Sequence, residues 1–208
     1  MNVIKQLQWR YAVREFNDKI IDRKDIEELS EAVRLTASSY GLQPYKLIVI
    51  ESKKIRSLLV PHAMGQNKVR DSSHLFILAC QTQIDDDYID YIFSSTENIR
   101  ALDEGTLDGF KDHVKSAFSG MSEDAKTNWA QQQAYIALGN LLTVAALKEI
   151  DACPMGGFDS AGFDEVLGLK ELSLSSCVIC ALGYRSGTDT AALAEKFRVD
   201  NQQFTILV

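Results

Sequence analysis

The chain has 208 residues, 46% of them hydrophobic, with a formal net charge of -7. That is enough apolar material to bury a core without a metal or disulfide staple. The acidic balance excludes a nucleic-acid surface as the natural expectation, and no window approaches the roughly 18 apolar residues of a membrane span.

A cytoplasmic protein with a small ligand is therefore expected, free of nucleic acid and membrane. Residues 2–14 read as a short helix carrying Arg10 and Arg14. Residues 22–35 read as a second, with Asp22 at its N-cap and Ile26, Leu29, Ala32 and Val33 as an apolar stripe. The small, polar stretch 36–45, with Gly41 and Pro44, is a loop feeding an apolar strand at 46–50. A second strand at 75–80 follows the segment Gly65-Gln66-Asn67-Lys68. Residues 84–127 form the least hydrophobic long region, acidic, with Phe93, Phe110 and Phe118 isolated along it, and this predicts a lid-like excursion.

Residues 128–150 predict a helix apolar nearly all round, buried on several sides and suited to a subunit interface around Gly139. Asn140, in its middle, needs a polar partner if buried. A third apolar strand is expected at 176–182. Residues 203–208 alternate weakly and predict a terminal strand free to join another sheet edge. Strands apolar on both faces belong inside a sheet covered by helices.

Cations at the two ends, Arg10 and Arg14 against Lys196 and Arg198, suggest in an acidic chain a site for one compact dianion such as a phosphate monoester. Taken singly, either pair is commonly a solvated face. The four cysteines, Cys80, Cys153, Cys177 and Cys180, lie in apolar stretches and fit reduced, buried thiols. Cys177-x-x-Cys180 has redox-motif spacing, yet a regular strand points the two side chains to opposite faces. His62, His74 and His113 lack ligand spacing, so no metal is expected. There is no Gly-x-Gly-x-x-Gly to dock a dinucleotide.

Four segments, read together, are more specific: Arg10-Tyr11-Ala12-Val13-Arg14, Ser38-Ser39-Tyr40-Gly41-Leu42-Gln43-Pro44-Tyr45, Cys153-Pro154-Met155-Gly156-Gly157-Phe158-Asp159, and Lys196-Phe197-Arg198. In order and spacing the chain resembles the FMN-dependent nitroreductase family, the NAD(P)H-dependent flavin reductases. The resemblance implies an α+β fold, a three-layer α-β-α sandwich with a mainly antiparallel central sheet, one domain over 1–208 and an intertwined homodimer. It implies that Arg10, Lys196 and Arg198 hold the FMN phosphate and that Arg14 lies under the pyrimidine end of the ring. Tyr11 and Ala12 would add backbone contacts, Gly156 and Gly157 backbone N–H groups, and Pro154 and Met155 the approach to them. Gln66 and Lys68 would lie near the ring, and Ser38 and Ser39 would reach the flavin of the other subunit.

Tyr40, Gly41, Phe110 and Phe118 are the expected pocket for a small-molecule electron acceptor. NAD(P)H would visit transiently, giving a ping-pong reduction of nitroaromatics or quinones in which no side chain acts as general acid or base. Gly41, Tyr45 and Gly156 stand where the family usually carries Asn, Trp and, in close relatives, Glu. These departures leave open a non-catalytic flavin-binding or ligand-sensing dimer, or a reductase of enones or halogenated aromatics.

Overall fold

The computed structural model describes residues 2–208. Helix α1 (Val3–Trp9) starts at Asn2, whose side-chain oxygen accepts from the N–H groups of Ile4 and Lys5 at 2.9 and 3.3 Å. It is shorter than the expected 2–14. Arg10 is already extended (φ -68°, ψ 143°), and Ala12 bridges Ala152 in parallel. The helix stops here because the Lys196 ammonium, from the far end of the chain, donates to the carbonyls of Leu7, Gln8 and Arg10. Arg10 and Arg14 are consequently not neighbours on a helix face.

Helix α2 (Arg23–Arg34) follows Asp22, which stands at the N-cap but makes no side-chain cap bond; Leu29 and Val33 are its buried residues. The chain continues through β1 (Tyr45–Ile50), α3 (Lys53–Leu59), α4 (Lys68–Asp71) and β2 (His74–Gln81). Next come α5 (Asp86–Arg100), α6 (Asp108–Ser119), α7 (Glu123–Leu147), β3 (Asp151–Met155), α8 (Ser160–Leu167), β4 (Leu174–Gly183) and α9 (Asn201–Phe204).

The four strands form one antiparallel sheet in the order β1-β2-β4-β3. Its apolar middle strands, β2 and β4, are covered on both faces, as their composition requires. One layer is built from α2, α5, α6 and α7, with Phe76, Leu78, Val178 and Leu182 beneath them. The other is built from α3, α4 and α8, with Leu75, Ile77, Ile179 and Ala181 facing them. This is the expected α+β sandwich. β3 is not among the expected strands, because Pro154 and the glycines after Met155 mask a five-residue edge strand.

Further expectations are corrected. Within residues 84–127, α5 and α6 form a helical hairpin whose Phe93, Val114 and Phe118 are buried in the first layer. Helix α7 buries one face through Ala130, Ala134, Ala137, Leu141 and Ala145, while Tyr135 and Ile136 on the other are half exposed. Asn140 on that helix donates to Thr36 Oγ1 at 2.9 Å. Residues 203–208 add no strand; α9 ends at Phe204, and residues 205–208 are irregular and exposed. Finally, β4 carries a bulge opposite Leu78 and Ala79, leaving Cys177 as the extra residue. The bulge reverses the alternation, so Cys177 and Cys180 pack on the same side of the sheet rather than on opposite faces. All four cysteines remain free thiols, with Cys177 only partly buried.

Two carboxylates tie the ends of the chain to this sheet. Asp151, 3% exposed at the start of β3, accepts from the Arg185 backbone N–H at 2.7 Å and from its guanidinium at 2.6 and 3.0 Å. That guanidinium lies 4.2 Å from the Trp9 ring centre and 4.6 Å from that of Tyr11. Asp189, also buried, accepts from Tyr11 Oη at 3.0 Å, Arg14 N at 2.8 Å, Glu15 N at 3.3 Å and Ala191 N at 3.0 Å.

Removing the carboxylate in Asp151→Ala strands a guanidinium clamped between two rings, and a loss of about 3 kcal/mol in urea unfolding is expected; a change within experimental error would show the pair to be structurally idle. Burial pushes the Asp189 carboxyl up, but the bonds from Arg14, Glu15, Ala191 and Tyr11 outweigh it and hold the carboxyl below its ordinary value. A depressed folded pKa stabilises above the unfolded value, about 3.9, and the contribution is lost as pH falls through the folded one. The stability gap between wild type and Asp189→Asn should thus be full at pH 7 and narrow below about pH 4. Equal gaps in urea midpoints across that range would contradict it.

Candidate active site

The extended segment after α1, the end of β4 and the tail enclose a cavity of about 450 Å³, lined among others by Trp9, Arg10, Tyr11, Arg185, Lys196 and Arg198. Arg10 and Lys196, 186 positions apart, thus share one cavity wall. Arg10 Nε is buried there without a hydrogen-bond partner. Burial first, and then the neighbouring Arg10 and Arg198 guanidinium groups, hold the Lys196 pKa below its usual value. Three cations that repel one another around a polar cavity, one with an orphaned buried donor, are suited to receive an anion.

Lys196 departs from its expected part. Its ammonium points at the carbonyls that end α1, so it contributes charge and fixes the helix end instead of offering a free donor. Arg198 is exposed, with one guanidinium nitrogen on the Phe197 carbonyl at 2.6 Å. Arg14 is exposed too, its backbone held by Asp189. The Tyr11 hydroxyl faces Asp189, and burial followed by that hydrogen bond pushes its pKa up to about 12.

A second group gathers at the end of β3. Met155 is buried, Pro154 partly so, and Gly156 and Gly157 are exposed, presenting bare backbone. The segment holding Gln66 and Lys68 lies against this turn: Met64 Cε is 3.8 Å from where a Gly157 Cβ would stand. Asp159 N donates to the His62 carbonyl at 2.7 Å, and the His62 ring meets the Asp159 carboxylate at 3.1 Å. Lys68 is 8% exposed although it is charged, and Gln66 is partly buried.

The loop at 38–41 stands apart from the cationic cavity, whose lining includes none of its residues. It is fixed locally. Ser38 Oγ accepts from Gln43 N at 2.9 Å, and Ser39 N donates to Gln133 Oε1 of α7 at 2.9 Å. Tyr40 and Gly41 both take the left-handed conformation, φ 56° and 70°, which suits glycine and strains tyrosine. The Tyr40 ring lies 6.3 Å from Phe110 and 6.2 Å from Phe118. Three of the four expected pocket residues do meet, but Phe118 is 3% exposed and packs edge-on against Trp129 at 4.9 Å. It belongs to the core and cannot wall a pocket; Phe110, half exposed, can.

Sequence reasoning missed Asp151, Arg185 and Asp189, which organise the cavity, and Tyr135, which abuts Gly156. A signal existed for Arg185, a charge just beyond an apolar strand; Asp151, Asp189 and Tyr135 gave none. Among the described residues, no cluster of three or more His, Cys, Asp or Glu side chains could hold a metal ion, and no helix is long and apolar enough to cross a membrane.

The chain is similar to known proteins in sequence and in fold. A Staphylococcus haemolyticus protein assigned by name to the NAD(P)H nitroreductases is 30% identical over 195 residues, covering 88% of each chain. The crystal structure of a Bacillus subtilis chain described as a nitroreductase superposes with a TM-score of 0.86 at 20% identity, over 99% of this chain and 98% of that one. An Exiguobacterium sibiricum chain, described likewise and crystallised with FMN, gives 0.84 at 17% identity, over 100% and 98%. The family model described as the Nitroreductase family matches residues 7–184, a span that includes the sheet, the Ser38–Gly41 turn and the Gly156-Gly157 turn, and the chain belongs to that family.

Proposed function

We propose that this chain is an FMN-dependent oxidoreductase that uses NAD(P)H to reduce electron-poor small molecules, nitroaromatics and quinones, in a ping-pong cycle. The observation that carries the reading is the convergence of Arg10, Lys196 and Arg198 on one cavity, with the buried Arg10 Nε lacking a partner. The FMN complex of the Exiguobacterium neighbour and the NAD(P)H in the staphylococcal relative's name support the choice of cofactor and reductant.

The residues fit a flavin mononucleotide. Arg10 and Arg198 bind its phosphate through charge-assisted hydrogen bonds, and Lys196 adds positive field while holding the end of α1. The exposed Gly156-Gly157 backbone offers N–H groups to the ring edge, with Gln66 and Lys68 alongside. Arg14 supplies a cation where negative charge gathers on reduction, and Tyr11, Ala12, Pro154 and Met155 shape the floor. The chemistry such a flavin supplies is acceptance and donation of a hydride. The protein binds, orients and excludes competing reactions; no side chain of this site is asked to act as general acid or base.

A homodimer completes the site. Ser38 and Ser39 do not line their own chain's cationic cavity, and in this reading they reach the flavin of the partner subunit. The tail leaves Phe204, Ile206 and Leu207 76%, 85% and 92% exposed, an apolar stretch that a second copy covers.

Purified protein titrated with FMN should quench flavin fluorescence and elute as a dimer. Anaerobic NADH or NADPH should bleach the bound flavin, and a nitroaromatic or quinone should restore its colour. Arg10→Ala and Arg198→Ala should each weaken FMN binding by roughly 10- to 100-fold, the worth of a charge-assisted hydrogen bond. A wild-type chain that binds no FMN, or one whose affinity survives both substitutions, would overturn the reading.

A further inference from the structure

Resting on that reading, we infer that Tyr135 orients the electron acceptor: its hydroxyl, facing Gly156, donates a hydrogen bond to an oxygen of the incoming quinone or nitro group. Tyr135 sits in α7 on the half-exposed face and lines an open cavity of about 650 Å³ with Asn128, Gln131, Gln132 and Ile136. Apart from the isoleucine, that lining consists of amides and one phenol. It carries hydrogen-bond donors and no formal charge, which matches a neutral acceptor with exposed oxygens and gives a carboxylate nothing to pair with.

The cavity touches the site through one contact. A Cβ built on Gly156 would lie 3.1 Å from Tyr135 Oη, so the phenol fills the space that any side chain at 156 would claim. Its hydroxyl makes no hydrogen bond to another described residue, although the ring is half buried. A phenol is a protonated donor at neutral pH in any case, and burial first, then the thiols of Cys177 and Cys80, push its pKa further up. Phe118, one of the aromatics expected to line the acceptor pocket, is unavailable because it is locked in the core.

The hydrogen bond changes no electron count. The acceptor quinone takes a hydride from the reduced flavin, which returns to its oxidised form, and a proton from solvent, and leaves as the hydroquinone, two electrons in all. Tyr135 only fixes the carbonyl oxygen while this happens, and is a positioning residue.

Tyr135→Phe removes one oxygen and keeps the ring, so the fold is retained. The holoenzyme, reduced anaerobically with dithionite, is mixed with p-benzoquinone or with ferricyanide, an outer-sphere oxidant that needs no carbonyl alignment. Tyr135→Phe should leave FMN affinity and ferricyanide reoxidation unchanged. It should slow reoxidation by subsaturating quinone roughly 3- to 10-fold, the worth of one neutral hydrogen bond. Equal rates with quinone, or equal slowing with both oxidants, would overturn the assignment, as would weakened FMN binding in the variant. Failure of the wild-type protein to bind FMN would instead strike the proposed function, so the two failures are separable.

Discussion

The Asp151–Arg185 pair is the constraint on which the rest depends. A buried carboxylate at the first residue of β3 holds a guanidinium just beyond the end of β4, and the flat face of that guanidinium is taken by Trp9 and Tyr11. One ion pair therefore fixes the sheet edge, the end of α1 and the start of the extended segment. Arg10 stands between the two aromatic neighbours in sequence, so its position follows from theirs. Asp189 makes the same link from the tail side, taking the N–H groups of Arg14 and Glu15. Lys196 closes the ring by capping α1. Buried ion pairs contribute little net stability against an apolar alternative; here the pair gains its value from what it aligns.

The cations it aligns are costly as they stand, since like charges are held close with a buried donor unsatisfied. An anion there would relieve both costs at once, so the proposed binding of a phosphate would also complete the fold of this corner. The opposite end of the proposed site is organised differently. The Ser38–Gly41 turn is stiffened by left-handed backbone and by Gln133, and it is presented outward rather than to its own chain's cavity. In the proposed homodimer, subunit pairing brings this turn to the partner's cavity.

Much of this is legible in the amino-acid sequence, and the rest is hidden for physical reasons. The runs around Leu75–Cys80 and Ser176–Leu182 are apolar on both faces and could only be central strands. The convergence of Arg10 with Lys196 and Arg198 is readable from charge placement against an acidic background. Helix α1 is overextended by its sequence because nothing local marks its end; the cap is a lysine nearly 190 positions away. Strict alternation places Cys177 and Cys180 on opposite faces, whereas a bulge, invisible to periodicity, brings them to one. The tail alternates like a strand but pairs with neither edge of its own sheet. Phe118 looks like a pocket residue because its surroundings are polar in sequence, and it is core because α6 folds back onto α5. Tyr135 emerges only from a distance to a glycine 21 positions further along the chain.

The central claim is that the opening segment and the tail clasp a single phosphate. A crystal structure of the protein reconstituted with FMN tests it most directly. The account predicts the phosphate within hydrogen-bond distance of Arg10 and Arg198, beside the Lys196 ammonium, with Arg10 Nε no longer orphaned. A phosphate held elsewhere, with that cavity filled by water alone, would contradict it.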